Sequence, residues 1–141
     1  MTDVLETYVL DAQIGFILRL ASQRHAAIFQ RHATHGLTPP QFSVMIRLHD
    51  HGTLSQNHLG RLTGLDVATV KGVVDRLCTK DLVATGADVH DKRLTLLSLT
   101  PTGRAMIPDL QETGARVTEE TVAGLTATER KTLLRLLGRI A

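Results

Sequence analysis

Between residues 3 and 35 apolar side chains return every three or four positions: Leu10, Ile14, Ile17, Leu18, Ala21, Ile28 and Phe29. That spacing matches the 3.6-residue turn, so the sequence predicts an amphipathic helix from about Asp3 to His35, with Gly36 as terminator. Thr38-Pro39-Pro40-Gln41 follows, a capping box with Thr at the N-cap, Pro at the first helical position and Gln at the third. The helix it opens carries Phe42, Val44, Met45, Ile46 and Leu48 and ends at Gly52. Ser55 then caps a short helix with Leu59 and Leu62, stopped by Gly64.

The next segment, DVATVKGVVDRLCTK, is rich in β-branched residues, and propensity alone reads it as a strand. Its periodicity favours a helix from Asp66 to about Lys80. Val67, Val70, Val74 and Leu77 share one stripe with Val73 beside it, and Ala68, Gly72, Asp75 and Thr79 lie opposite. Two short extended pieces follow, Leu82 to Thr85 and Leu94 to Leu99, joined by a polar hairpin tip from Gly86 to Arg93. Thr100-Pro101 repeats the N-cap signal and opens a helix with Met106, Ile107, Leu110 and Val117, in which Pro108 is expected to introduce a bend. Thr126 and Glu129 form a second capping box before Leu133, Leu136, Leu137 and Ile140.

Composition narrows the function classes. Of the 141 residues, 43% are hydrophobic and 21% charged, values of an ordinary globular domain. The apolar runs are too short to span a bilayer and the N-terminus lacks the basic-then-apolar order of a signal peptide, so a soluble cytoplasmic protein without membrane association is expected. The single cysteine, Cys78, excludes an internal disulfide framework. A net charge of +2 allows nucleic-acid binding only through a local basic surface. Tyr8, Phe16, Phe29 and Phe42 all lie in the first third of the chain. The remainder has no aromatic platform for stacking single-stranded bases, which favours duplex over single strands.

A short helix, a glycine-containing turn and a longer helix occupy Ser55 to Lys80, the spacing of a helix-turn-helix. The hairpin directly after it has the position of a wing. In this context the chain resembles the MarR family of bacterial transcription regulators. The likeness is densest in LTPPQFSVMIRL, LGRLTGLDVATVKGVVDRLCTKDLV and DKRLTLLSLTPTGR. The last of these carries the wing signature Asp91, Arg93, Leu97, Leu99 and Thr100 in register. The resemblance implies a mainly α fold with a small β-hairpin wing, in one domain spanning 1–141. Residues 1–36 and 101–141 would form the dimerisation helices, and 37–100 the winged helix-turn-helix region. It also implies a homodimer that binds double-stranded DNA and is released by a small effector, an aromatic acid or a coenzyme A thioester. Two recognition units one helical turn apart would read a palindrome of roughly 16–20 base pairs.

On that basis the helix from Asp66 enters the major groove. Ala68 and Gly72 permit close approach, Thr69 and Lys71 contact bases or phosphates, and Arg76 lies on the same exposed side. Asp66 at the N-cap is a cost near phosphates unless its oxygen is engaged by the helix's own amides. Arg93 is expected in the flanking minor groove, Lys92 and His90 on phosphates, and Asp91 as the residue that fixes Arg93 or Arg76.

Effector candidates are Tyr8, Phe16, Arg19, His25 and His49. Arg19 has two readings, a dimer-interface ion pair or a partner for a ligand carboxylate. His32 with His35, and His49 with His51, have spacings a metal could use, yet no converging ligand set is legible. No metal and no cofactor is therefore expected. Cys78 is expected to be a partly buried, inert thiol. The sequence contains no motif for a nucleophile with its base, a nucleotide loop or a zinc-hydrolase pair, so catalysis is not expected. Two alternatives stay open: a metal- or oxidant-responsive regulator of the same fold, and a winged helix that serves protein interaction alone.

Overall fold

A computed structural model describes residues 7–141. The part of the expected first helix over residues 3–6 lies outside the described residues. Two compact units emerge: Ala33–Gly114, and the described residues up to His32 together with Ala115–Ala141.

The Ala33–Gly114 unit begins at α2 (Pro39–His51), since α1 (Ile14–His32) belongs to the other unit. Thr38 Oγ1 accepts from the Gln41 amide at 3.3 Å and Gln41 Oε1 accepts from the Thr38 amide at 3.1 Å, so the predicted capping box is formed in full. The chain then runs through β1 (Thr53–Ser55), α3 (Gln56–Thr63), α4 (Val67–Thr79), β2 (Val83–Ala87) and β3 (Thr95–Leu99) into α5 (Pro101–Thr121). Ser55 and Asp66 cap α3 and α4, and Gly64, at φ 69°, closes α3 in the left-handed conformation. The β-branched segment is a helix, because its valines stack on one side. Val70, Val74 and Leu77 are at most 1% exposed and pack with Val44, Met45, Leu48, Leu59 and Leu97. Burying each such side chain contributes about 1.5–3 kcal/mol, far more than strand propensity offers.

Val67 departs from that stripe: it is 76% exposed. Helical phase assigns it an inward position, but the first residue of α4 lies beyond the edge of the core. The sheet also holds one strand more than expected. β1 pairs with β3 and β3 with β2, all antiparallel, with Leu54 opposite Leu97 and Val83 opposite Leu99. Three residues are too few to show alternation in the sequence. The first hairpin strand runs two residues further than predicted, to Ala87, which shortens the tip. Leu97 and Leu99 are both buried on one face, as their alternation implies.

Thr100 locks the sheet to the start of α5. Its amide donates to the Leu82 carbonyl (3.1 Å), its hydroxyl donates to the Asp81 carbonyl (2.6 Å), and it accepts from the Gly103 amide (3.0 Å). Gly103 lies so close to this turn that a Cβ there would stand 2.2 Å from the Leu82 carbonyl oxygen. α5 continues through Pro108 to Thr121, and the division between the units falls within it.

In the other unit the expected single N-terminal helix is interrupted. Leu10–Ala12 forms one 3-10 turn, Gln13 is extended at ψ 132°, and α1 begins only at Ile14. The Gln13 side chain donates to the Val9 carbonyl at 3.0 Å and stabilises the break. α1 also ends earlier than predicted, at His32, because His35 and Gly36 both take positive φ in the turn that follows. Around the C-terminus of α5, Arg24 donates to the carbonyls of Thr121 (2.7 Å) and Glu120 (3.1 Å), which have no partner within the helix. Arg31 and His32 both engage the Glu120 carboxylate and hold it below the usual carboxylate range. α6 (Ala127–Ile140) opens with the predicted Thr126–Glu129 capping box.

Among the described residues of this unit only Ile28, Phe29 and Val117 are buried hydrophobics. Tyr8, Val9, Leu10, Ile14, Ile17, Leu18 and Leu20 are exposed, as are Leu133, Leu134, Leu136 and Ile140 of α6. No helix among the described residues is long and apolar enough to cross a membrane.

Candidate nucleic-acid interface

Among the described residues there are six α-helices and a three-stranded antiparallel sheet, and the β2–β3 hairpin directly after the α3-turn-α4 pair makes a winged helix-turn-helix. The site is built on α4 and the hairpin tip, both within Ala33–Gly114.

The core fixes which way α4 faces. With Val70, Val73, Val74 and Leu77 buried, Ala68, Thr69, Lys71 and Arg76 point to solvent and Gly72 is half-buried. Asp66 Oδ1 accepts from the Thr69 amide at 2.7 Å, and this bond lowers the Asp66 pKa below its ordinary value. The carboxylate is thus engaged by the helix's own amide, as the capping argument requires near phosphates. Lys71 Nζ lies 3.2 Å from Asp75 Oδ2, one turn on, in a well-exposed pair. Such a pair is worth little in water and exchanges readily for a phosphate. Along the other edge of α4 a shallow groove runs between Thr69, Gly72 and Arg76 and the N-terminus of α2 at Thr38 and Pro40.

The hairpin tip is more ordered than a polar turn needs to be. Asp88 Oδ1 accepts from the amides of His90 (2.7 Å) and Asp91 (3.0 Å), and Leu94 closes the loop by donating to the Asp91 carbonyl at 3.0 Å. Asp91 Oδ1 accepts from the Arg93 amide at 3.0 Å. The two carboxylate oxygens also take Arg93 Nε and Nη2 at 3.1 and 3.2 Å. Of the two arginines considered for Asp91, the partner is therefore Arg93. Its guanidinium holds the Asp91 carboxyl below the usual range, while the Arg93 side chain stays 90% exposed. His90 and Lys92 are exposed beside it.

Asp88 was given no role from sequence, although an Asp followed by small-loop residues is the ordinary signal for a side chain that closes a turn on the backbone. The sequence pattern assigns Val67 to the buried stripe of α4, and Thr38 and Pro40 only to the start of α2. Only the packing shows that they border its exposed face.

The remaining candidates fall in both units. Tyr8, Phe16, Arg19 and His25 belong to the unit containing α1, and His49, exposed in the last turn of α2, belongs to the other. The Arg19 guanidinium stacks 5.3 Å from the Phe16 ring centre, and His25 Nδ1 lies 3.1 Å from Thr121 Oγ1. His32 is bonded to Glu120 and His35 to Asp109. No group of three or more His, Cys, Asp or Glu side chains suited to a metal occurs among the described residues. Cys78 is half-buried, and burial together with nearby Asp75 pushes its thiol pKa up.

The fold is that of a winged helix-turn-helix protein, with Lys71 and Arg76 exposed on α4 and Lys92 and Arg93 exposed on the hairpin tip. Residues 35–94 match the profile of the MarR family. Over 94% of this chain and 85% of the relative, the sequence is 37% identical to the HTH-type transcriptional repressor NicR of Pseudomonas putida. A probable transcriptional regulator from Pseudomonas aeruginosa has a crystal structure similar to this chain at TM-score 0.90 and 45% identity, over 94% of this chain and 100% of that one. Bordetella bronchiseptica BpsR, whose DNA binding is regulated by 6-hydroxynicotinic acid, matches at TM-score 0.91 and 38% identity, covering 94% and 96% of the two chains. The chain belongs to the MarR family and is a transcriptional regulator of that type.

Proposed function

We propose that this protein is a homodimeric repressor that binds a palindromic duplex operator and leaves it when a small aromatic carboxylate binds. The observation that carries the DNA-binding part is the pairing of two tools in one unit. One is a helix whose core contacts turn Ala68, Thr69, Lys71, Gly72 and Arg76 outward; the other is a hairpin tip on which Asp91 holds an exposed Arg93. The helix suits a major groove roughly 12 Å wide, and the arginine suits the narrower groove beside it. His90 and Lys92 are assigned to phosphates.

The dimer is supported by the apolar residues that a single chain leaves exposed on α1, α6 and the segment before α1, a pattern typical of an interaction surface. NicR, a repressor, supports the direction of regulation, and BpsR supports an effector of the hydroxylated aromatic acid class. Arg19, exposed and stacked on Phe16, is assigned to the effector carboxylate, with Tyr8 and His25 of the same unit as further candidates.

Selection of bound fragments from random duplex DNA by the purified protein tests the proposal. A recovered palindrome is the expected result, bound roughly ten- to a hundredfold more weakly by Arg93→Ala with its circular dichroism unchanged. Equal affinity of that variant for the operator overturns the role given to the wing. Release of the operator by 6-hydroxynicotinic acid or a related acid, and its loss in Arg19→Ala, tests the sensing part.

A further inference from the structure

Within Ala33–Gly114 the large hydrophobic side chains are buried or half-buried with three exceptions: Val67, Val89 and Leu94. Val67 is the first residue of α4, while Val89 and Leu94 lie on the hairpin tip, so all three stand on the proposed DNA-reading elements. Val67 is the one on the helix. At 76% exposure it is set apart from Val70 and Val74, at 1% each, one and two turns further along. It lines a hollow between α3 and α4 whose polar residues are Gln56, Asn57, Arg61 and Asp66.

We propose that Val67 is a specificity-determining residue that reads the C5-methyl group of one thymine in each half-site. The inference rests on the DNA-binding function proposed above. The first turn of a recognition helix is the part that meets base edges. A branched aliphatic side chain there has no hydrogen bond to offer, and the thymine methyl is the apolar feature on the major-groove edge of a base pair. Its neighbours favour that use. Ala68 adds no bulk beside it, and Asp66, the nearest acid in sequence, has its Oδ1 bonded to the Thr69 amide. Asn57 and Arg61, which line the same hollow, carry groups suited to the sugar-phosphate strand, and such contacts would anchor this end of the helix in the groove.

The test replaces each thymine of the selected operator in turn by deoxyuridine, which removes the methyl and leaves base pairing intact. Affinities are measured for the parent, Val67→Ala and Val89→Ala. The parent is expected to lose roughly fourfold at one position per half-site, the worth of one buried methyl group. Val67→Ala should bind the ordinary operator more weakly by a similar factor and show no further loss at that position, whereas Val89→Ala keeps the full methyl dependence. Val67 is exposed in the first turn, so the alanine variant folds, and unchanged circular dichroism checks this. A parent indifferent to every thymine methyl, or a Val67→Ala protein with the parent's methyl dependence, overturns the proposal while leaving DNA binding itself intact. A parent that selects no duplex sequence overturns both.

Discussion

A guanidinium at a hairpin tip is of little use to a binding surface while it samples every rotamer, and Asp91 narrows that freedom for Arg93. The two bonds from Nε and Nη2 hold the fork, and the Arg93 amide adds a third bond to the same carboxylate. Because the folded state favours the charged carboxylate, Asp91 has a lowered pKa. The sign follows: the fork is fully formed above the ordinary aspartate range and is lost only as pH falls through the lowered value. An NMR titration of the Asp91 carboxyl is expected to show its midpoint below 3.8, and Arg93→Ala should bring it back up towards that value. A midpoint unmoved by that substitution would exclude the fork. Cys78 behaves in the opposite sense, since burial and Asp75 keep its thiol protonated at neutral pH. Alkylation by iodoacetamide at pH 7.5 should be slower than for a free small thiol, and faster reaction would reopen an oxidant-sensing role. The Asp-x-Arg spacing was legible in the sequence; which arginine Asp91 holds was not, because that choice depends on the bend of the loop set by Asp88.

The starts of α2, α3, α4 and α6 are legible in the sequence because caps are local chemistry, whereas both ends of α1, which has no such cap, differ from the expected Asp3 to His35. Thr38, Ser55, Asp66 and Thr126 each accept a backbone amide three residues on, a contact decided within one turn. Depth was read less well. Val67 has the right phase for the core stripe of α4, but phase says nothing of where along a helix its neighbours end. β1 was missed for a similar reason, since its three residues are a strand only because β3 lies beside them. Two glycines separate the close approach that packing demands from the one that function asks for. At Gly103 an added Cβ would overlap the Leu82 carbonyl at 2.2 Å, so Gly103→Ala should cost about 2 kcal/mol or more in a denaturant melt. At Gly72 the nearest atom is the flexible Arg76 Nη1 at 3.6 Å, so Gly72→Ala should keep or raise stability. If Gly72 serves close approach to DNA, that same variant binds operator more weakly. Equal melts for the two variants would mean that the turn into α5 yields more easily than its hydrogen bonds indicate.

The unit formed by the described residues up to His32 with Ala115–Ala141 buries few hydrophobic side chains, whereas Ala33–Gly114 holds a continuous core. A single chain thus has one well-packed unit and one with much apolar surface still in water. Leu136→Glu, on α6 at 46% exposure, disturbs little within one chain and places a charge on that surface. Sedimentation should shift it from dimer to monomer with helicity retained, and operator affinity should fall roughly a hundredfold or more as two linked half-sites become independent. A dimer that persists would direct attention to the residues before α1 instead. With a net charge of +2, any DNA affinity depends on a few local cations, those of α4 and the wing together with Arg61 of α3. Operator binding should therefore weaken steeply between 50 and 200 mM salt, and salt-insensitive binding would favour the protein-interaction reading.

The sequence by itself determined the order of helices, their caps, the hairpin and the family, because each is written in contacts a few residues apart or in a dense local motif. Tertiary structure alone decided three further matters. It made three residues after α2 a strand, ended the core short of Val67, and divided the chain into units that bury their hydrophobic residues to very different extents. The physical reason is common to all three: burial is a property of what lies across the gap, and a periodic pattern records only which way a side chain points.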